Sequence, residues 1–130
     1  MLIQVAVAVI VNDNDEIVIS RRAADQHQGN KWEFPGGKLE AGESPEQALT
    51  RELKEELGVE VLAQQSLLEL SHEYPDRYVN LYVYRITEFR GEPKGLENQA
   101  LQWVLPVELN DINFLSGNKK IVAAVQALST

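Results

Sequence analysis

Both ends of one helix are written into this sequence, and they fix where its neighbours must go. Ser44 suits an N-cap, Pro45 the first helical position, and Gln47 stands where a capping box needs it. At the other end, Gly58 can take the left-handed conformation that closes a helix. Between them Leu49, Leu53 and Leu57 recur every fourth residue as one apolar stripe, so this helix must lie on a core. Its outer surface is unusual. Glu52, Glu55 and Glu56 stand at i, i+3 and i+4 and share one face. Glu40, Glu43 and Glu46 crowd the approach. Carboxylates this close destabilise a helix unless a cation sits among them.

The rest of the chain reads as short strands around that helix. "IQVAVAVIV" and "EIVIS" are apolar, β-branched runs joined by the turn-forming "NDND", which predicts a hairpin. The N-terminal run lacks a basic flank and falls short of the ~20 residues that span a bilayer, so it reads as a buried strand. Residues 21–43 show no sustained period and read mostly as loop. "SLLELSHEY" and "YVNLYVYRITEF" flank the turn "PDR"; "RGEPKG" is a further turn and "ALQWVLP" a short strand. Ile121, Val122, Val125 and Leu128 predict a second amphipathic helix from about Lys119. The expectation is one α+β domain over residues 1–130, with about six strands and two main helices.

Charge raises a problem that the glutamate helix can solve. The formal net charge is -8, so the chain has no general field for polyanions. A nucleic-acid polymer is therefore not an expected partner, and nothing suggests a membrane. The absence of cysteine excludes a disulfide framework and a thiol nucleophile, and it fits a reducing cytoplasm. A monomer is the default. The plain reading of a glutamate cluster is a solvated acidic face. Here Arg51 can orient Glu43 or Glu52, and the glycine pair upstream lets a backbone carbonyl approach an ion. Hard cations such as Mg²⁺ prefer oxygen ligands and bridge carboxylates to phosphates. The cluster would then create a local positive centre in an acidic chain.

Gly37, Glu43, Arg51, Glu52, Leu53, Glu55, Glu56, Gly58 and Val59 match G-x5-E-x7-R-E-U-x-E-E-x-G-U without a gap, U being a bulky aliphatic residue. This resembles the signature of the Nudix hydrolases, which cleave nucleoside diphosphates linked to another moiety with Mg²⁺ or Mn²⁺. The resemblance implies the Nudix fold, a mixed β-sheet sandwiched between α-helices. It implies that Glu52 is the base or water-orienting residue and a possible metal ligand, and that Glu55 and Glu56 are metal ligands. The Gly36 carbonyl would be a backbone ligand, and Arg51 and Glu43 orienting residues.

"RRAADQHQGNKWEFPGGK", "YPDR", "GEPKG" and the spacing to Asn118 further resemble the MutT subfamily of 8-oxo-dGTP diphosphatases. That likeness implies release of a nucleoside monophosphate and pyrophosphate by attack at the β-phosphorus. Arg22, His27, Glu33, Phe34, Pro35, Gly36 and Asn118 would line the nucleotide site and Arg77 would flank it. Glu97 would be a further metal ligand or an alternative base. Asn118 also has a physical argument. Guanine offers acceptors at O6 and N7, whereas oxidation at C8 makes N7 a donor. An amide can donate to O6 and accept from N7–H. Without the likeness, Asn118 would be a helix cap, Phe34 a core residue, His27 and Glu97 ordinary loop residues, Arg22 a solvated strand end and Arg77 part of a turn. Trp32 and Trp103 read as packing residues. Two alternatives stand beside this reading. One is a Nudix pyrophosphatase for another nucleotide, such as a modified dCTP. The other is a Nudix module that binds without turnover.

Overall fold

β1 (Leu2–Ile10), the buried strand expected from the N-terminal run, is the axis of the molecule. The computed structural model describes residues 1–26 and 29–128. β2 (Ile17–Arg21), β3 (Trp32–Glu33), β4 (Gly36–Lys38), α1 (Pro45–Leu57), β5 (Glu60–Tyr74), β6 (Arg77–Arg90), β7 (Leu101–Val104) and α2 (Lys119–Leu128) follow. Short 3-10 turns occupy Pro106–Asp111 and Ser116–Asn118. β1 runs parallel to β6, from Leu2 opposite Tyr78 to Ile10 opposite Ile86, and antiparallel to β4. β5 completes a mixed sheet in the order β4-β1-β6-β5, while β3, β2 and β7 form a second, antiparallel sheet.

Period-two alternation divides the side chains of β1 between two cores. Val7 and Val9 pack with Ile17 and Ile19 of β2 and with Ile121, Val122 and Val125 of α2. Ala6, Ala8 and Ile10 meet Ala48, Leu49, Leu53 and Leu57 of α1. A strand covered on both faces needs no polar alternation, which explains its unbroken apolar run. The small Ala6 and Ala8 leave room for the leucine stripe. Burying each such leucine contributes about 1.5–3 kcal/mol. The result is the expected α+β architecture, a mixed sheet with helices on its two sides. Among the described residues, no helix is long and apolar enough to cross a membrane.

The α1 boundaries are those read from the sequence. The Ser44 hydroxyl accepts from the Gln47 amide at 3.1 Å, and the Gln47 side chain accepts from the Ser44 amide at 2.9 Å. Gly58 has φ 70° and donates to the Lys54 carbonyl. Three expectations need correction, and one element is additional. "NDND" does form a turn, with Asn12 Oδ1 accepting from the amides of Asn14 and Glu16. The flanking strands nevertheless enter different sheets and share a single bridge, Val11 with Ile17. Residues 21–43 contain two short strands, which brings the described strands to seven. They are too short to show a period and exist because β1 and β2 pair with them. β5 begins at Glu60 rather than Ser66, because β6 recruits a polar, bulged stretch. The 3-10 turn at Pro106–Asp111 was not foreseen; there the Glu108 carboxylate accepts from the Leu105 amide at 2.7 Å.

Candidate functional site

Arg51 organises the acidic face of α1. Its Nε donates to Glu43 Oε2 at 2.8 Å and its Nη2 to Glu43 Oε1 at 2.9 Å, a two-point grip. Nη1 donates to Glu52 Oε1 at 2.8 Å, and Nη2 also reaches the Lys38 carbonyl at 3.1 Å. The guanidinium beside Glu43, helped by the Glu40 amide, holds that carboxyl down at about 2. Burial pushes Glu52 above the usual carboxylate range, against the pull of Arg51. Glu55 is more exposed and meets Arg51 at 3.4 Å.

The paired glycines have steric reasons. A Cβ on Gly37 would collide with the Glu52 carboxylate, and one on Gly36 with the Ala6 carbonyl of β1. Thus β4 can lie between α1 and β1 only without side chains at these two positions. The Gly36 amide faces the Glu56 carboxylate. Burial pushes Glu56 from its ordinary 4.5 up to about 8, and the charges of Glu52, Glu97 and Glu33 add to the effect. Four carboxylates therefore share one electrostatic environment with too little positive charge among them.

That deficit is the test of fit for a cation. Among the described residues, no three acidic or histidine side chains are already gathered tightly enough to hold an ion. Uncompensated carboxylates repel, so a closed cage is not expected before a cation arrives. The oxygen donors at hand suit a hard divalent ion. Glu56, pushed up to about 8 by burial and by its acidic neighbours, marks where positive charge is wanted.

A cleft of about 690 Å³ runs past these groups. It is lined by Gly36, Glu56 and Glu97 from the acidic region, and by Arg22, Glu33, Phe34, Pro35, Arg77 and Asn118. Val5, Val7, Val79 and Leu81 supply apolar wall. Arg22 pairs with Glu33 at 3.0 Å, and burial pushes Glu33 upward despite that partner. Arg77 lies over the Tyr74 ring at 5.0 Å, and its buried Nε has no hydrogen-bond partner among the described residues. His27 lies outside the described residues. Glu43, Arg51, Glu52 and Glu55 are not among the lining residues, although Glu52 lies directly against Gly37, which is.

Asn118 does not cap α2. Its Oδ1 accepts from the Phe34 amide at 2.9 Å, across 84 residues of chain. The Phe34 N–H needs an acceptor, so the amide is oriented with oxygen toward Phe34 and Nδ2 away. The Phe34 ring stacks on Phe114 at 5.2 Å and is core, as the plain reading held, although the residue also borders the cleft.

Among the cleft residues that the sequence did not single out are His72, Tyr74 and Gln99. His72 and Tyr74 meet edge to face at 4.6 Å, close to Gly117. Their i, i+2 spacing in a strand put them on one face, a signal present in "SHEY". Gln99 had no local signal. The plain readings also survive in part, since Arg21 sits over the partly buried Trp32 at 5.9 Å.

The family model for the NUDIX domain matches residues 6–124. An 8-oxo-dGTP diphosphatase of Escherichia coli (strain K12) is 44% identical over 126 residues, covering 97% of this chain and 98% of that protein. A CTP pyrophosphohydrolase of the same organism is 35% identical, covering 98% and 93%. Among solved structures, one from a study of MutT from Aliivibrio salmonicida and Vibrio cholerae has a TM-score of 0.87 and 36% identity, covering 98% of this chain and 99% of that one.

Proposed function

Because the chain belongs to the NUDIX domain family, we propose that it hydrolyses 8-oxo-dGTP, and 8-oxo-GTP, to the monophosphate and pyrophosphate. This would sanitise the nucleotide pool and prevent mutation. The observation that carries the reading is one cleft lined both by Glu56 and Glu97 and by the oriented amide of Asn118. The relative at 44% identity, named for 8-oxo-dGTP, supports the choice of base. The relative named for CTP supports a second reading, a pyrophosphohydrolase of cytidine nucleotides.

The family depends on a divalent metal. We assign Mg²⁺, for which Mn²⁺ can substitute, with Glu52, Glu55, Glu56, Glu97 and the Gly36 carbonyl as the groups that would hold it. When bound, the ion neutralises phosphate oxygens and lowers the pKa of bound water. Glu52, held by Arg51, which Glu43 steadies in turn, accepts the proton of the attacking water. If Glu52 serves only as ligand and orienter, Glu97 is the alternative base. The water oxygen bonds to the β-phosphorus, the bond to the α,β-bridging oxygen breaks, and the monophosphate leaves with that oxygen. Arg22 and Arg77 supply positive charge along the cleft, and Asn118 reads the base. Glu33 steadies Arg22, and Phe34, Pro35 and Gly36 form the adjoining backbone. His27 belongs to this set by resemblance alone. The whole of 1–130 acts as one domain, cytoplasmic and monomeric, on free nucleotides rather than nucleic-acid polymers or membranes.

A panel of 8-oxo-dGTP, dGTP, CTP and a modified dCTP, assayed with Mg²⁺ and with EDTA, tests this. Faster turnover of 8-oxo-dGTP, lost in EDTA, is expected. In ¹⁸O water the label should appear in pyrophosphate, not in the monophosphate. Preference for CTP would install the second reading. Turnover of none would leave a binding module.

The state of Glu56 makes metal binding pH-dependent. Its folded pKa of about 8 lies above the ordinary 4.5, so without metal it stabilises the fold fully below 4.5 and loses that contribution as pH rises through 8. Ligation requires the ionised form. Mg²⁺ binding near pH 7 should therefore release about one proton, and near pH 9 almost none. The Mg²⁺-induced rise in melting temperature should grow between these values. Calorimetry in two buffers of different ionisation enthalpy counts the protons. An equal count at both pH values would refute the ionisation of Glu56 on metal binding.

A further inference from the structure

Glu97 reaches the cleft from the connection between β6 and β7, where no regular element holds it. We propose that Gln99 is the positioning residue that keeps Glu97 beside the end of α1, ready for the cation. The proposal rests on the reading of Glu97 as a metal ligand and adds to it the device that sets its place.

The last carbonyls of a helix lack intrahelical donors. Here the connection supplies them. The Lys94 amide donates to the Leu57 carbonyl at 3.0 Å, and the Leu96 amide to the Glu56 carbonyl at 3.0 Å. These bonds anchor the chain just short of Glu97. It then turns sharply, with the Asn98 amide donating to the Gly95 carbonyl at 3.0 Å and Asn98 at φ 63°. Glu97 is therefore carried on the tip of a tight turn. The Gln99 side chain ties that tip back. Its Oε1 accepts from the Glu97 amide at 2.9 Å, while its Nε2 donates to the Glu56 carbonyl at 3.1 Å.

One amide thus joins the backbones of two acidic residues, one on the helix and one on the loop. The bridge needs a side chain that donates and accepts at once on an arm long enough to reach both backbones, which the glutamine amide supplies. The tie matters because Glu97 is exposed and faces like charges on Glu52 and Glu56. Repulsion pushes an untethered turn outward whenever no cation is present, and the cation must then spend binding energy to draw it in. Groups that hold a ligand in place in this way typically change metal affinity about 10–100-fold when removed.

The test uses Mn²⁺ alone as the probe, since its binding is read by electron paramagnetic resonance without turnover. Gln99→Met keeps the side-chain length and removes both hydrogen bonds. It should weaken Mn²⁺ binding about tenfold or more and lower kcat, with KM and melting temperature little changed. Amide exchange across residues 94–98 should quicken in the metal-free variant. The double variant Glu97→Gln, Gln99→Met should bind Mn²⁺ no more weakly than Glu97→Gln alone, since Gln99 acts through Glu97. Wild-type affinity in Gln99→Met beside a weakened Glu97→Gln overturns the proposal, as do additive losses or unchanged exchange. Wild-type affinity in Glu97→Gln itself would instead remove Glu97 from the metal site, a separable failure. Should Gln99→Met melt too low to titrate, Gln99→Asn carries the same cycle, because it keeps both groups on a shorter arm that cannot span both partners.

Discussion

Glu52→Gln is expected to lower kcat by about 10²–10⁴-fold, the range for loss of a positioned proton acceptor. Melting temperature should stay within a few degrees. The substitution is nearly isosteric, so it keeps contact with Gly37, and its carbonyl oxygen can still accept from Arg51 Nη1. What it loses is the negative charge and the ability to take a proton. Folding should even gain slightly from relief of repulsion with Glu55 and Glu97. KM is expected to change far less than kcat, since the cleft walls that hold the nucleotide are untouched. Turnover within a few-fold of wild type would remove Glu52 from the mechanism and transfer the role of base to Glu97. Parallel melting curves and Mn²⁺ titrations of Glu52→Gln separate lost chemistry from lost metal.

Asn118→Ala is expected to abolish most of the preference for 8-oxo-dGTP over dGTP, by as much as about 10⁴-fold in the ratio of kcat/KM values, the scale on which buried hydrogen-bonding sites discriminate. The geometry sharpens the argument made from sequence. Oδ1 already accepts from Phe34, so one of its two lone pairs is taken and the other is left for N7–H. Nδ2 keeps its donors, one of which O6 of the base can use. Guanine would present its N7 lone pair to Oδ1 and be repelled. The same substitution orphans the buried Phe34 amide, which costs about 1–3 kcal/mol of stability. Asn118→Asp separates the two roles, because a carboxylate still accepts from Phe34 but has no donor for O6. Its melting temperature should lie near that of wild type while activity on 8-oxo-dGTP falls. An unchanged ratio of the two nucleotides in Asn118→Ala would end the claim that this amide senses the oxidised base.

How much of this was legible in the sequence depended on distance along the chain. The ends of α1 are set by neighbours within three or four residues, so Ser44, Gln47 and Gly58 could be read directly and lie as expected. The pairing of Arg51 with adjacent Glu52 was equally local, and that with Glu43 reaches only eight residues back. β5 was misjudged at its start because Val61 to Gln65 are strand only through pairing with β6, past two irregularities in register. β3 and β4 are too brief to leave a pattern, and they exist because β1 and β2 draw them in. The bond from Phe34 to Asn118 spans 84 residues, so position near a helix start alone favoured a cap at Asn118. Gln99 was invisible because its bridge needs the Glu56 carbonyl, 43 residues away on α1, as well as the nearby Glu97 amide.

The parallel pairing of β1 with β6 has a consequence for the ribosome. Synthesis delivers Leu2–Ile10 long before Tyr78–Ile86, so the most apolar strand waits for its principal neighbour while most of the chain is made. Exposed strands of this kind are the sticky species of nascent proteins. Two earlier products can shelter it. β4 covers one edge, and α1 lays its leucines on Ala6, Ala8 and Ile10. Both are complete once Leu57 has left the exit tunnel. The helix that carries Glu52, Glu55 and Glu56 is thus in place to cover the strand before its permanent partner emerges.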